Sequence, residues 1–229
     1  MARITFQRDM DGLQAQLLEL GSMVAETIQA SVAILKNRDI DAAHQLVQND
    51  NVINKKRYAV ESETLILIAR QQPMAVDLRT LAAFLEIATE LERIADYSKG
   101  IARITIQLAD EPFVKPLIDI PRMAEKAADM LNRALISFQR RDIEMAKDIA
   151  CEDHEMDQLY QQVYRELMTY VLVDPRNIEG GSHLIWVAHK LERAADRVVN
   201  ICERVIFTVT GELIELDDAS RNAGPCSGH

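Results

Sequence analysis

Two pairs of carboxylates recur in this chain at one spacing. Glu92 and Asp96 are four residues apart, and so are Glu192 and Asp196. Four residues make about one helical turn, so each pair shares a helix face. Leu81, Leu85, Ala88 and Ala95 form an apolar stripe, and Glu92 falls inside it. A carboxylate buried there alone is costly; it requires a cation, a hydrogen-bond donor or a gap to solvent. Asn200 and Glu203 continue the polar line of the second pair. A second set lies earlier in each half: Asp50 with Asn54, and Asp153 with Asp157. If the helices carrying these sets pack side by side, each half converges four oxygen-bearing side chains. The candidate metal ligands are therefore Asp50, Asn54, Glu92, Asp96, Asp153, Asp157, Glu192, Asp196 and Asn200. Hard oxygen donors suit magnesium, calcium, manganese or iron, and zinc less well. The competing reading is a plain helical adaptor whose acids only form interhelical salt bridges or surface pairs worth about 0.3–0.5 kcal/mol.

Other chemistries find less support. His44, His154, His183, His189 and His229 are scattered, and no set of His or Cys is spaced for tetrahedral zinc. His154 adjoins Asp153 and reads as a solvated helix residue. Cys151, Cys202 and Cys226 form neither a CxxC pair nor a disulfide framework and read as free thiols in a reducing compartment. A carboxylate-bridged di-metal enzyme of the helical-bundle type is the alternative function. It wants Glu-x-x-His on two helices, and the chain has none. Nucleotide-binding glycine motifs and a nucleophile elbow are also missing.

The elements that must position these acids are long helices. Hydrophobic residues make up 48% of the chain but aromatics only 5%, which favours helix-on-helix packing. Prolines mark the breaks: Pro73, the cluster Pro112, Pro116 and Pro121, and Pro175. Helices are predicted near 6–36, 39–71, 75–109, 120–140, 142–172 and 181–211, with Gly180-Gly181 in the loop before the last. Residues 220–229 read as a disordered polar tail. The net charge is −10 and there is no basic run, so nucleic acid is an unfavoured partner. The N-terminus lacks the apolar core of a secretory signal, and no run of 18 apolar residues occurs. Both predict a cytoplasmic protein.

The helices repeat. Leu91-Glu92-Arg93-Ile94-Ala95-Asp96 returns 100 residues later as Leu191-Glu192-Arg193-Ala194-Ala195-Asp196. Arg38-Asp39-Ile40-Asp41 returns 103 residues later as Arg141-Asp142-Ile143-Glu144. The stripe Leu46, Ile53, Val60, Leu67 maps onto Ile149, Met156, Val163, Tyr170. A duplicated unit explains these matches in one order. The expectation is an all-α protein of two tandem similar three-helix bundles, 1–112 and 113–217, with a tail at 218–229.

Arg70-Gln71-Gln72-Pro73-Met74-Ala75-Val76-Asp77-Leu78-Arg79 followed by Leu91 to Asp96 resembles the first half-motif of the PhoU family. Leu191 to Asp196 with Asn200, Glu203 and Thr210-Gly211-Glu212 resembles the second. The resemblance spans about residues 5–217. It implies two similar three-helix bundles and a regulatory scaffold rather than an enzyme. It further implies negative regulation of the phosphate-starvation response, between the ATPase of the phosphate ABC transporter and a membrane sensor histidine kinase. A homodimer, touching the membrane only through partners, is also implied. Some members bind multinuclear iron or zinc clusters through Glu/Asp-x-x-x-Asp motifs, which fall here on Glu92 and Asp96, Glu192 and Asp196, and Asp153 and Asp157, with Asp50 and Asn54 beside them. Two departures stand out. Ala95 and Ala195 replace the usual Gly before the motif Asp. Arg197 replaces the usual His after the second, and a guanidinium near that site is expected to repel a metal.

Overall fold

The computed structural model describes residues 2–108 and 112–216, with side chains from residue 4 onward. The expected tail lies outside the described residues. The first half comprises α1 (Ala2–Asn37), α2 (Ile40–Gln71) and α3 (Val76–Gln107). The second comprises α4 (Asp119–Arg140), α5 (Ile143–Cys151), α6 (Asp153–Val173), a 3-10 turn at Pro175–Asn177, and α7 (Ile178–Thr210). Each half is a three-helix bundle, the middle helix of the second being in two pieces.

The repeated Arg-Asp-Ile segment has a local job. Arg38 and Arg141 adopt left-handed backbone, φ 53° and 55°, and end the preceding helix. Asp39 and Asp142 follow as N-caps, accepting from the amides of Ala42 and Met145 at 2.9 and 3.0 Å. Such caps contribute about 1 kcal/mol each.

Two expectations are corrected. The helix expected over 142–172 breaks at Glu152, where tight turns replace the α ladder: the Glu152 amide donates to Ile149 and the Glu155 amide to Glu152. Arg133 of α4 (2.6 Å) and Lys126 of α4 (3.2 Å) hold the Glu152 carboxylate there. Gly180 and Gly181 lie inside α7 rather than in a loop, and both are buried. A Cβ on Gly181 would stand 2.9 Å from Val171 Cγ2, so the missing side chain lets the end of α6 approach α7.

The apolar stripe of α2 is buried at Ile53, Val60 and Leu67, and that of α5 and α6 at Ile149, Met156 and Val163, while Tyr170 is exposed. The two halves share one apolar core. Helix α3 lies antiparallel on α7, as cross-pairs Glu86 with Arg204 and Glu90 with Asn200 show. Helix α1 packs on α4. The rings of Phe84 (α3) and Phe138 (α4) meet edge to face across the halves at 5.8 Å. The segment before α4 is pinned by Lys115, which pairs with Asp119 and Glu166, and by Arg38, whose guanidinium lies 4.2 Å over the Phe113 ring.

Among the described residues α1 alone is long and apolar enough to cross a membrane. Its apolar residues Leu13, Leu17, Leu20, Val24 and Ile28 are buried in the core. Cys202 is a free thiol buried in α7, and burial pushes its pKa up to about 12. Cys226 lies outside the described residues.

Candidate functional site

Helices α2 and α3 bring the first set of acids together. Asp50 is 5% exposed and is the deepest of them. Its Oδ2 accepts from Asn54 Nδ2 at 2.9 Å and from Lys99 Nζ at 2.6 Å. The same ammonium lies 3.4 Å from Asp96 Oδ1, so Lys99 bridges one carboxylate of each helix. The hydrogen bond to Asp50 raises the Lys99 pKa against the opposing effect of burial. Glu92 also belongs to this cluster. Burial raises its pKa, as do the charges of Asp96 and Asp50, while Arg57 and Arg93 pull it down. A cleft of about 550 Å³ opens over Asp50 and Lys99, walled by Met23, Ala30 and Ile34 of α1 and by Leu46 and Ile53 of α2.

The second set is assembled by α6 and α7 with different neighbours. Burial pushes the Glu192 carboxyl up to about 7, reinforced by Asp196 and Asp157 and only partly offset by Arg193. His189 Nδ1 lies 3.1 Å from Glu192 Oε2 but lacks hydrogen-bond geometry, and that buried oxygen has no hydrogen-bond donor. Burial also lowers the His189 pKa, which favours the neutral ring. Arg193 Nη1 pairs with Asp196 Oδ2 at 2.7 Å. Asp153 opens α6 one turn before Asp157. His154 is exposed, with Nε2 2.9 Å from Gln158 Nε2, as expected of a solvated residue.

Asn200, the remaining candidate ligand, faces the other half. Its amide donates to Glu90 Oε2 at 3.3 Å, on the seam between α3 and α7. Arg197 faces that seam too, with Nη1 3.5 Å from Glu90 Oε2. Burial works against its charge, but the Tyr97 hydroxyl and Glu90 outweigh burial and raise its pKa. The guanidinium expected to repel a metal is thus engaged by the other half. Ala95 and Ala195 are buried in the core, 1% and 0% exposed.

Among the described residues no three His, Cys, Asp or Glu side chains form a ready ligand set. The two clusters nevertheless differ in fit. The first already holds a cation between its carboxylates. The second pairs a buried, donor-less carboxylate oxygen with like charges, an arrangement that a metal ion would relieve.

Sequence reasoning passed over Lys99, Arg57 and Tyr160, whose ring lies 5.8 Å from that of His189. The signal was available in a column-by-column reading of the repeat. Lys99 corresponds to Val199 at the 100-residue offset, and Arg57 to Tyr160 at the 103-residue offset.

A doubled three-helix bundle with an acid cluster between the second and third helices of each unit defines a class of carboxylate-bearing helical bundles. The PhoU domain model matches residues 17–105 and 120–205, once on each unit. The chain belongs to the PhoU family. It is 35% identical over 208 residues to a phosphate-specific transport system accessory protein PhoU homolog of Aquifex aeolicus, covering 91% of this chain and 94% of that protein. It is 30% identical to the phosphate-specific transport system accessory protein PhoU of Escherichia coli K12, covering 90% and 86%. The crystal structure of PhoU from Pseudomonas aeruginosa superimposes with a TM-score of 0.85 at 32% identity, covering 90% of this chain and all (100%) of that one. The phosphate transport system regulatory protein PhoU from Streptococcus pneumoniae gives 0.85 at 29% identity, covering 92% and 99%.

Proposed function

We propose that this protein is a cytoplasmic negative regulator of phosphate uptake and of the phosphate-starvation response. It acts as a scaffold between the ATPase of the phosphate ABC transporter and a sensor histidine kinase, and as a homodimer. The observation that carries this reading is the match of both units, in order, to accessory proteins of phosphate transport over nine-tenths of the chain. Those relatives are named as accessory proteins rather than enzymes, in line with a non-catalytic role.

Metal is the second part of the proposal. Glu192, Asp196, Asp153 and Asp157 would hold an iron, zinc, manganese or magnesium ion. Support comes from the donor-less buried oxygen of Glu192 and from the like charges around it. Such an ion would neutralise the cluster and tie α6 to α7. This chain's residues prepare that role by holding Glu192 in a half-buried wall and by turning Arg197 onto the seam.

The regulatory reading is tested by affinity purification from cells grown in phosphate-rich medium, with light scattering of the pure protein. Recovery of a phosphate-transport ATPase or a sensor kinase, and a dimer mass, are expected. Recovery of neither partner contradicts the assigned role.

A further inference from the structure

We propose that Lys99 is the resident cation of the first acid cluster, so that this half takes no metal ion and the two repeats are chemically unequal. The inference rests on reading the acid clusters as cation sites and concerns which of them is open.

The geometry is that of a bridging cation. The Lys99 ammonium contacts Asp50 Oδ2 at 2.6 Å and Asp96 Oδ1 at 3.4 Å, joining α2 to α3. Asn54 donates to the same Asp50 oxygen, so the chain itself supplies two donors to Oδ2 of the buried carboxylate. A hard divalent ion placed between these two carboxylates would sit against an ammonium that cannot ligate it and repels it. Access is not the obstacle, because the cleft between α1 and α2 opens directly over Asp50 and Lys99.

The repeat supplies an internal control. The second unit has the same acids, but Val199 stands at the Lys99 position and Tyr160 at the Arg57 position. Val199 is 1% exposed and apolar, so no side chain of that column can neutralise Glu192 or Asp196. Beyond the arginine that both motifs share, Arg93 and Arg193, the first unit thus sets Lys99 and Arg57 against its acids where the second carries an aliphatic and a phenolic side chain. One duplicated scaffold yields a clasp that bridges two helices in one half, and in the other a cluster whose Arg193–Asp196 pair stays within α7 and leaves Glu192 Oε2 without a donor. In this chain metal availability is felt by α6 and α7, while α2 and α3 stay clasped at any metal concentration.

The test counts Mn²⁺ at the first cluster alone. Glu192→Gln with Asp196→Asn disables the second cluster, and Mn²⁺ binding by this parent is read from the free-ion electron paramagnetic resonance signal. The parent is expected to bind no Mn²⁺ at the first cluster. Adding Lys99→Val is expected to raise Mn²⁺ affinity at least tenfold, and a further Asp50→Asn to abolish the gain. Lys99→Gln, which keeps length and hydrogen bonding without charge, serves if the valine variant does not fold. Mn²⁺ binding by the parent that depends on Asp50, or no gain on removing the Lys99 charge, overturns the proposal. Wild-type metal content lost on Glu192→Gln with Asp196→Asn tests the metal reading separately.

Discussion

Arg197 of the second repeat reaches Glu90 of the first, Nη1 to Oε2 at 3.5 Å, and Asn200 one turn later donates to the same oxygen at 3.3 Å. Both residues extend the second acid pair along α7, yet both are used to join the two bundles. Glu90 is 14% exposed at its side chain, and Arg93 of its own helix lies 3.6 Å from its other oxygen. Arg197→Ala should lower stability by about 1 kcal/mol, since a half-buried carboxylate loses the charged partner that reaches it from the other half. Urea unfolding measures this. Adding Glu90→Gln should restore part of the loss, and metal content should not change in either variant.

Glu192 makes stability depend on pH in the metal-free protein. Its folded pKa is raised from 4.5 to about 7, so the folded chain holds this proton more tightly than the unfolded one. The folded state is therefore favoured at low pH and loses stability as pH rises from about 4.5 through 7. Glu192→Gln removes the penalty. It should stabilise chelator-treated protein by about 1–3 kcal/mol at pH 8 and by little at pH 5. Thermal unfolding at the two pH values checks this, and an equal effect at both would contradict it.

Glu152 shows the opposite sign. Burial alone would raise its pKa, but Arg133 and Lys126 outweigh burial and lower it below 4.5. Its contribution is present above the unfolded value and is lost as pH falls through the folded one. Glu152→Gln should cost about 1–2 kcal/mol at pH 7, with the difference fading toward pH 3. Hydrogen exchange should rise first at the α5–α6 junction, because this carboxylate ties the break to α4.

The helices were legible because prolines and apolar periodicity are local signals. Pro73 and Pro175 fall in the turns after α2 and α6, and Ile53, Val60 and Leu67 are buried as their seven-residue spacing predicts. The break at Glu152 was not legible, since no proline or glycine makes it; cations on α4, distant in sequence, hold it. Gly180-Gly181 looked like a loop, but the pair is a contact allowance for Val171 inside α7. In the candidate site, spacing located the acids and not their counter-charges. Lys99 three residues after Asp96 reads as an ordinary surface pair. Only packing shows that it crosses to Asp50. Asn200 shows the same limit: four residues from Asp196 places it along the helix, but the neighbouring α3 decides what its amide meets.

The inequality of the two clusters is tested most directly by anomalous diffraction from crystals grown with ferrous iron or Mn²⁺. A peak is predicted beside Glu192 and Asp196, within reach of Asp153 and Asp157, with none between Asp50 and Asp96, where Lys99 should remain in place. An equal peak between Asp50 and Asp96, with the Lys99 ammonium displaced, would contradict the account.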